Sequence, residues 1–132
     1  MVSDNPKILI VEDDHLVCAF ASEVLEAEGY RLVVAYNAAE ALAKLEAEPD
    51  IGVLFTDIVM PGDCDGLTLA ELAKRRFPHL RVLYTSGYAA RLASIDTVPL
   101  LGPFMPKPYR PQQLTDAIAR ILGCGSPPPV PA

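Results

Sequence analysis

Asp57 closes the apolar run "IGVLFTD" (51–57), at a place where a buried strand ordinarily carries valine or isoleucine. Three other apolar runs end in polar groups: "KILIV" (7–11) leads into Glu12, Asp13 and Asp14, "LRVLYTS" (80–86) ends in Thr85 and Ser86, and "PFMPK" (103–107) ends in Lys107. Carboxylates without histidine or cysteine partners suit a hard cation, and Mg²⁺ in particular is held by one or two carboxylates, waters and a phosphate oxygen. An aspartate in such company can itself become an aspartyl phosphate. Metal and lysine would then neutralise the phosphoryl oxygens while a serine or threonine hydroxyl donates to another. The chemistry implied is phosphoryl transfer, provided the fold brings these strand ends together.

Each residue also has an ordinary structural role open to it. Asp14, directly before "HLVCAF", reads mainly as a helix N-cap. Glu12, Asp13, Ser86 or Lys107 taken singly would be commonplace at the start of a loop. What caps and surface charge leave unexplained is their joint placement after four apolar runs.

The elements that must position them alternate regularly. "KILIV" is a strand, and "HLVCAFASEVLEAEG" (15–29) places Leu16, Phe20, Val24 and Leu25 at helical spacing, with Gly29 as the stop. "YRLVVAY" (30–36) is a second strand, and Asn37 with Glu40 forms a capping pair for a helix running to about Glu48, before Pro49. "IGVLFTD", "GLTLAELAKRRF" (66–77) and "LRVLYTS" continue the pattern. Between 88 and 101 the signal weakens: "YAARLASI" makes only a short fourth helix and "DTVPLLG" a loop. "PFMPK" is a short last strand, followed by a helix that starts at Pro111 and is closed by Gly123. Five such units predict an α/β fold, a doubly wound five-stranded parallel sheet with helices on both faces. In the order 2-1-3-4-5 the first and third strands are neighbours, and chemistry belongs at the carboxyl ends of the strands.

Composition narrows the alternatives. A chain of 132 residues fits one domain, and a net charge of −6 disfavours non-specific nucleic-acid binding. No apolar run approaches a membrane span and no secretory leader opens the sequence, so the expected location is cytoplasmic. Cys18, Cys64 and Cys124 lack metal-ligand spacing and read as free thiols. Neither GxGxxG nor GxxxxGK[ST] occurs, which removes dinucleotide and P-loop nucleotide binding.

The pieces "ILIVEDD", "LFTDIVMPGDCDG", "VLYTSGYA" and "FMPKP" resemble the receiver domain of two-component response regulators over roughly residues 6–123, leaving 124–132 as a proline-rich tail. The resemblance implies a flavodoxin-like fold that accepts a phosphoryl group from a phosphohistidine kinase or histidine phosphotransfer protein. It implies Asp57 as phosphoacceptor, and Glu12 and Asp13 as the acidic pair that binds or positions Mg²⁺. The backbone carbonyl of Val59 would be a further ligand. It implies Lys107 as partner of the acceptor or its phosphate, Ser86 as the switch hydroxyl and Phe104 as the switch aromatic. Thr85 competes with Ser86, but strand alternation points the two apart. A cis Lys107–Pro108 bond is also implied. The signal would leave through the face of the fourth strand, fourth helix and fifth strand, to a second copy or a downstream protein.

Four departures from the family pattern stand out. The stretch "MPGDCDGL" is one residue longer between Pro61 and Gly66 than the commoner form and resembles receivers related to hybrid sensor kinases. Glu12 stands where aspartate is commoner, and Arg110 replaces a better cap before Pro111. Tyr88, two residues after Ser86, sits where the family tunes phosphate loss. Self-catalysed phosphoryl acceptance and dephosphorylation, rather than metabolism, is the expected activity. A constitutive protein-binding receiver is the main alternative. A small aspartyl-phosphate phosphohydrolase is disfavoured because Val59 occupies the place of a second acid.

Overall fold

A computed structural model describes residues 7–58, 65–86 and 102–123. The expected short helix within 88–95, the lengthened loop around 59–64, Tyr88, Cys64, Cys124 and the tail from 124 lie outside those residues. Strands β1 (Lys7–Val11), β2 (Arg31–Ala35), β3 (Ile51–Asp57), β4 (Arg81–Ser86) and β5 (Phe104–Pro106) alternate with helices α1 (His15–Ala27), α2 (Ala38–Ala47) and α3 (Gly66–Arg76). Helix α4 (Pro111–Leu122) follows β5. All pairings are parallel and the order is β2-β1-β3-β4-β5, as the alternation predicts.

Side-chain alternation along the central strands supplies two cores. Ile8, Ile10, Val53, Phe55, Leu83 and Met105 pack with Leu25, Leu114 and Ile118 on the α1/α4 face. Leu9, Val11, Leu54, Val82 and Tyr84 pack with Leu45, Leu69 and Ala73 on the α2/α3 face. A strand covered on both sides needs apolar residues at every position, which is why β1, β3 and β4 read as continuous runs.

Helix starts follow local chemistry. Asp14 accepts from the N–H groups of Leu16 and Val17, so it is the cap the sequence suggests. Asn37 accepts from Glu40 N at 2.8 Å, but Glu40 reaches back to the N–H of Tyr36, one residue before the cap. Arg110 gives α4 no side-chain cap, and Gln113 compensates by accepting from its backbone N–H at 2.7 Å. Gly123 adopts the left-handed conformation (φ 65°) that ends α4.

Of the helically spaced Leu16, Phe20, Val24 and Leu25, Leu25 alone is fully buried; α1 also buries Cys18 and Ala21 and leaves Leu16 83% exposed. Small residues at 18 and 21 let α1 lie close to the sheet, which rotates Leu16 and Phe20 toward the rim.

Candidate functional site

Strand order does most of the assembly. With β1 hydrogen-bonded to β3, the residues following Val11 arrive beside Asp57, since Val11 pairs with Thr56 in the register. Glu12, Asp13 and Asp57 each place one carboxylate oxygen within 4.8 Å of the others. Glu12 and Asp57 are 4% and 5% exposed, whereas Asp13 stands in solvent. Two enclosed carboxylates at this range repel unless a cation lies between them.

Lys107 supplies such a cation. Its ammonium lies 2.7 Å from Glu12 Oε1 and 2.9 Å from Asp57 Oδ2. Burial opposes the charge on Lys107, but its hydrogen bonds to Glu12 and Asp57, with their negative charges, leave its pKa above the ordinary lysine value. For Glu12 the balance falls the other way. Burial raises its pKa, the neighbouring Asp57 charge adds to this, and Lys107 and the Asp14 N–H offset only part.

Glu12 also has structural work at its second oxygen, since Oε2 accepts from the Asp14 N–H at 3.1 Å. The extra methylene relative to aspartate lets one side chain reach Lys107 on one side and the start of α1 on the other. Lys107 is aimed from β5 by its own backbone N–H, which donates to the Ser86 carbonyl at 3.0 Å. The Lys107–Pro108 bond that follows is cis.

The two adjacent hydroxyls of β4 are both buried, and they occupy different faces. Ser86 shares alternation with Tyr84 and, across β5, with Phe104, which packs against the α2/α3 core. Thr85 shares alternation with Leu83 on the α1/α4 face and pairs in register with Asp57. The structure thus gathers Glu12, Asp13, Asp57 and Lys107 at one rim, with Ser86 and Phe104 on adjoining strands. Val59 lies outside the described residues.

Several supporting residues escape a sequence reading. Gly66 begins α3 against the end of β3: a Cβ there would collide with the Asp57 carbonyl oxygen, and its N–H donates to the Ile58 carbonyl at 2.8 Å. Thr56 Oγ1 donates to the Asp57 carbonyl at 2.9 Å. Asp65 caps α3 through Thr68 N, and its spacing before "GLTLAEL" is a signal that could have been read. Tyr109 is buried against Phe55, and its phenol pKa is pushed up by burial and by the charges of Glu12, Cys18 and Asp57. Nothing local distinguishes Gly66 or Tyr109, because their neighbours come from distant strands.

An all-oxygen donor set at the carboxyl edge of a parallel sheet fits Mg²⁺ and can activate a carboxylate toward phosphorus. Residues 8–119 match the family model described as the response regulator receiver domain. The response regulator receiver protein CpdR of Brucella abortus (strain 2308) is 34% identical over 117 residues, 88% of this chain and 96% of that protein. The sensor kinase CckA of the same strain is 29% identical over 124 residues, but there the chain spans 13% of the relative. Among solved structures, a CheY-like receiver domain protein of Methanospirillum hungatei JF-1 superposes with a TM-score of 0.81 at 31% identity, covering 91% of this chain and 95% of that one. The receiver domain of the hybrid histidine kinase CckA gives 0.74 at 32% identity, covering 88% and 98%.

Proposed function

Because the chain belongs to the response regulator receiver domain family, the phosphorylation-dependent element of two-component signalling, we propose that Asp57 accepts a phosphoryl group from a phosphohistidine. The donor is a histidine kinase or a histidine phosphotransfer protein, and the reaction takes place in the cytoplasm. The working unit is residues 6–123, with 124–132 outside the chemistry. The observation that carries this reading is the Lys107 ammonium bridging Glu12 and Asp57, with the Asp13 carboxylate beside them.

An Asp57 carboxylate oxygen attacks phosphorus. The P–N bond to the donor imidazole breaks and its electron pair stays on nitrogen, which takes up a proton. Asp13 and Asp57, with Glu12 directly or through water and the Val59 carbonyl, are the residues that would hold Mg²⁺. Bound there, the ion neutralises charge on the phosphoryl oxygens and orients them for in-line attack. Lys107 follows the charge from the carboxylate to a phosphoryl oxygen, and hydrolysis later returns inorganic phosphate and the free carboxylate.

Three further roles concern switching, output and donor docking. Ser86 donates to the new phosphoryl group and draws the end of β4 toward it, which frees space for Phe104 to turn inward. The output face is β4, the segment 88–101 and β5, open to a second copy or a downstream protein. Donor docking suits the rim beside Lys107, where Leu16, Val17 and Phe20 of α1 line an apolar groove with Pro108 and Tyr109. An exposed leucine and phenylalanine next to the acceptor fit a helical partner that brings its phosphohistidine over Asp57.

Incubation with acetyl phosphate and Mg²⁺, read by intact mass, tests the chemistry. A single phosphate adduct that is abolished in Asp57→Asn is expected. No adduct, or one that survives the substitution, would leave a constitutive binding module or another acceptor.

A further inference from the structure

Thr85 is 2% exposed, and among the described residues its Oγ1 has no hydrogen-bond partner. A buried hydroxyl left this way destabilises the resting protein, whereas valine would fill the same space without the loss. Its position suggests where the compensation lies. In the β3–β4 register Thr85 stands opposite Asp57. Paired residues of a parallel ladder project to the same face, about 4.8 Å apart between strands. Three strands agree on that face: Phe55 precedes Asp57, Leu83 precedes Thr85 and Met105 precedes Lys107 by two residues each, and all three pack in the α1/α4 core.

In the resting state Asp57 Oδ2 accepts from Lys107. A phosphoryl group carries more charge than the carboxylate and draws the ammonium toward itself. That movement takes a donor away from an Asp57 oxygen that is largely shielded from solvent.

We infer that Thr85 is a second hydroxyl of the phosphoacceptor site, orphaned at rest and donating to the Asp57 oxygen that Lys107 releases on phosphorylation. A threonine hydroxyl can rotate to a new acceptor without moving the backbone. The role is distinct from that of Ser86, which lies on the other face. It rests on the phosphoacceptor reading of Asp57.

The inference requires effects of opposite sign in two states. Thr85→Val should raise the resting protein's unfolding midpoint by about 3 °C, since the unpaired hydroxyl is gone. The same variant should bind beryllofluoride with Mg²⁺, a phosphoryl mimic, about tenfold more weakly, as expected for one lost hydrogen bond to a charged group. Thr85→Ser keeps the donor and should bind within about threefold of wild type. Wild-type affinity in Thr85→Val, or equal weakening in Thr85→Ser, would make the residue one of packing alone and overturn the inference. Failure of wild type to bind the mimic, or binding that survives Asp57→Asn, would instead remove the phosphoacceptor reading and this inference with it.

Discussion

The two ends of the same sheet each carry a lysine between two carboxylates, and they do opposite things. At the carboxyl edge Lys107 joins Glu12 and Asp57, whose side chains are 5% and 7% exposed. At the amino edge Lys7 lies 2.6 Å from Glu48 and 3.2 Å from Asp50, and Arg31 adds a contact to Asp50, which is half exposed. Distances barely distinguish the clusters; solvent does. Water can replace any partner at the amino edge, so removing a charge there costs little. At the carboxyl edge the partners have no such substitute, and an incoming Mg²⁺ or phosphoryl group must rearrange charges already held against one another. The proposed phosphoryl chemistry belongs to the end where the ion pairs are enclosed.

Removing the central cation should break this contrast most visibly. Lys107→Ala leaves Glu12 and Asp57 facing each other, and urea unfolding should show a loss of about 2–3 kcal/mol, somewhat below the range for a fully enclosed pair. Millimolar Mg²⁺ should stabilise this variant more than wild type. Equal stabilisation would mean that the lysine and the metal do not share a seat.

A smaller effect sharpens the comparison within the carboxyl edge itself. Asp14 lies next to the acidic pair yet serves as a cap exposed to solvent. Asp14→Ala should cost about 1 kcal/mol through fraying of α1. Phosphorylation from acetyl phosphate should stay within about threefold of wild type, the change expected of a group outside the acceptor chemistry. A loss comparable to that of Asp57→Asn would move Asp14 into the site.

The smallest effect belongs to the amino edge. Hydrogen bonding to Lys7 holds the Asp50 carboxyl below its ordinary value of 3.8, against a small opposing cost of burial. A group whose folded pKa is depressed contributes stability above its unfolded value and loses it as pH falls through the folded one. Asp50→Asn should therefore lower the unfolding midpoint by only about 1–2 °C near neutrality. The difference should fade below pH 3.8 and shrink in about 1 M salt. A large, salt-independent loss would show that enclosure is not what separates the two ends.

How much of this was legible beforehand follows from which interactions are local. β1, β3 and β4 could be read because a doubly covered strand excludes polar residues along its length, and Asp57 stood out for breaking that rule. The caps at Asp14 and Asn37 could be read because donor and acceptor lie within one turn. The spacing of Leu16, Phe20, Val24 and Leu25 reveals a helix but not which side meets the sheet, and Cys18 and Ala21 take inner positions beside Leu25. Why position 66 must be glycine could not be read, because the conflict is between this first residue of α3 and the Asp57 carbonyl of β3.

The order of residues alone determined the alternation of elements, the parallel sheet and the identities of the acid, hydroxyl and lysine groups at strand ends, because period and composition act over a few neighbouring positions. Only the tertiary structure decided that Glu12 shares Lys107 with Asp57, that Thr85 lies opposite Asp57 with no hydrogen-bond partner among the described residues and that Leu16 faces outward. Those outcomes depend on strand register and on exclusion of water, and both arise when distant segments pack together.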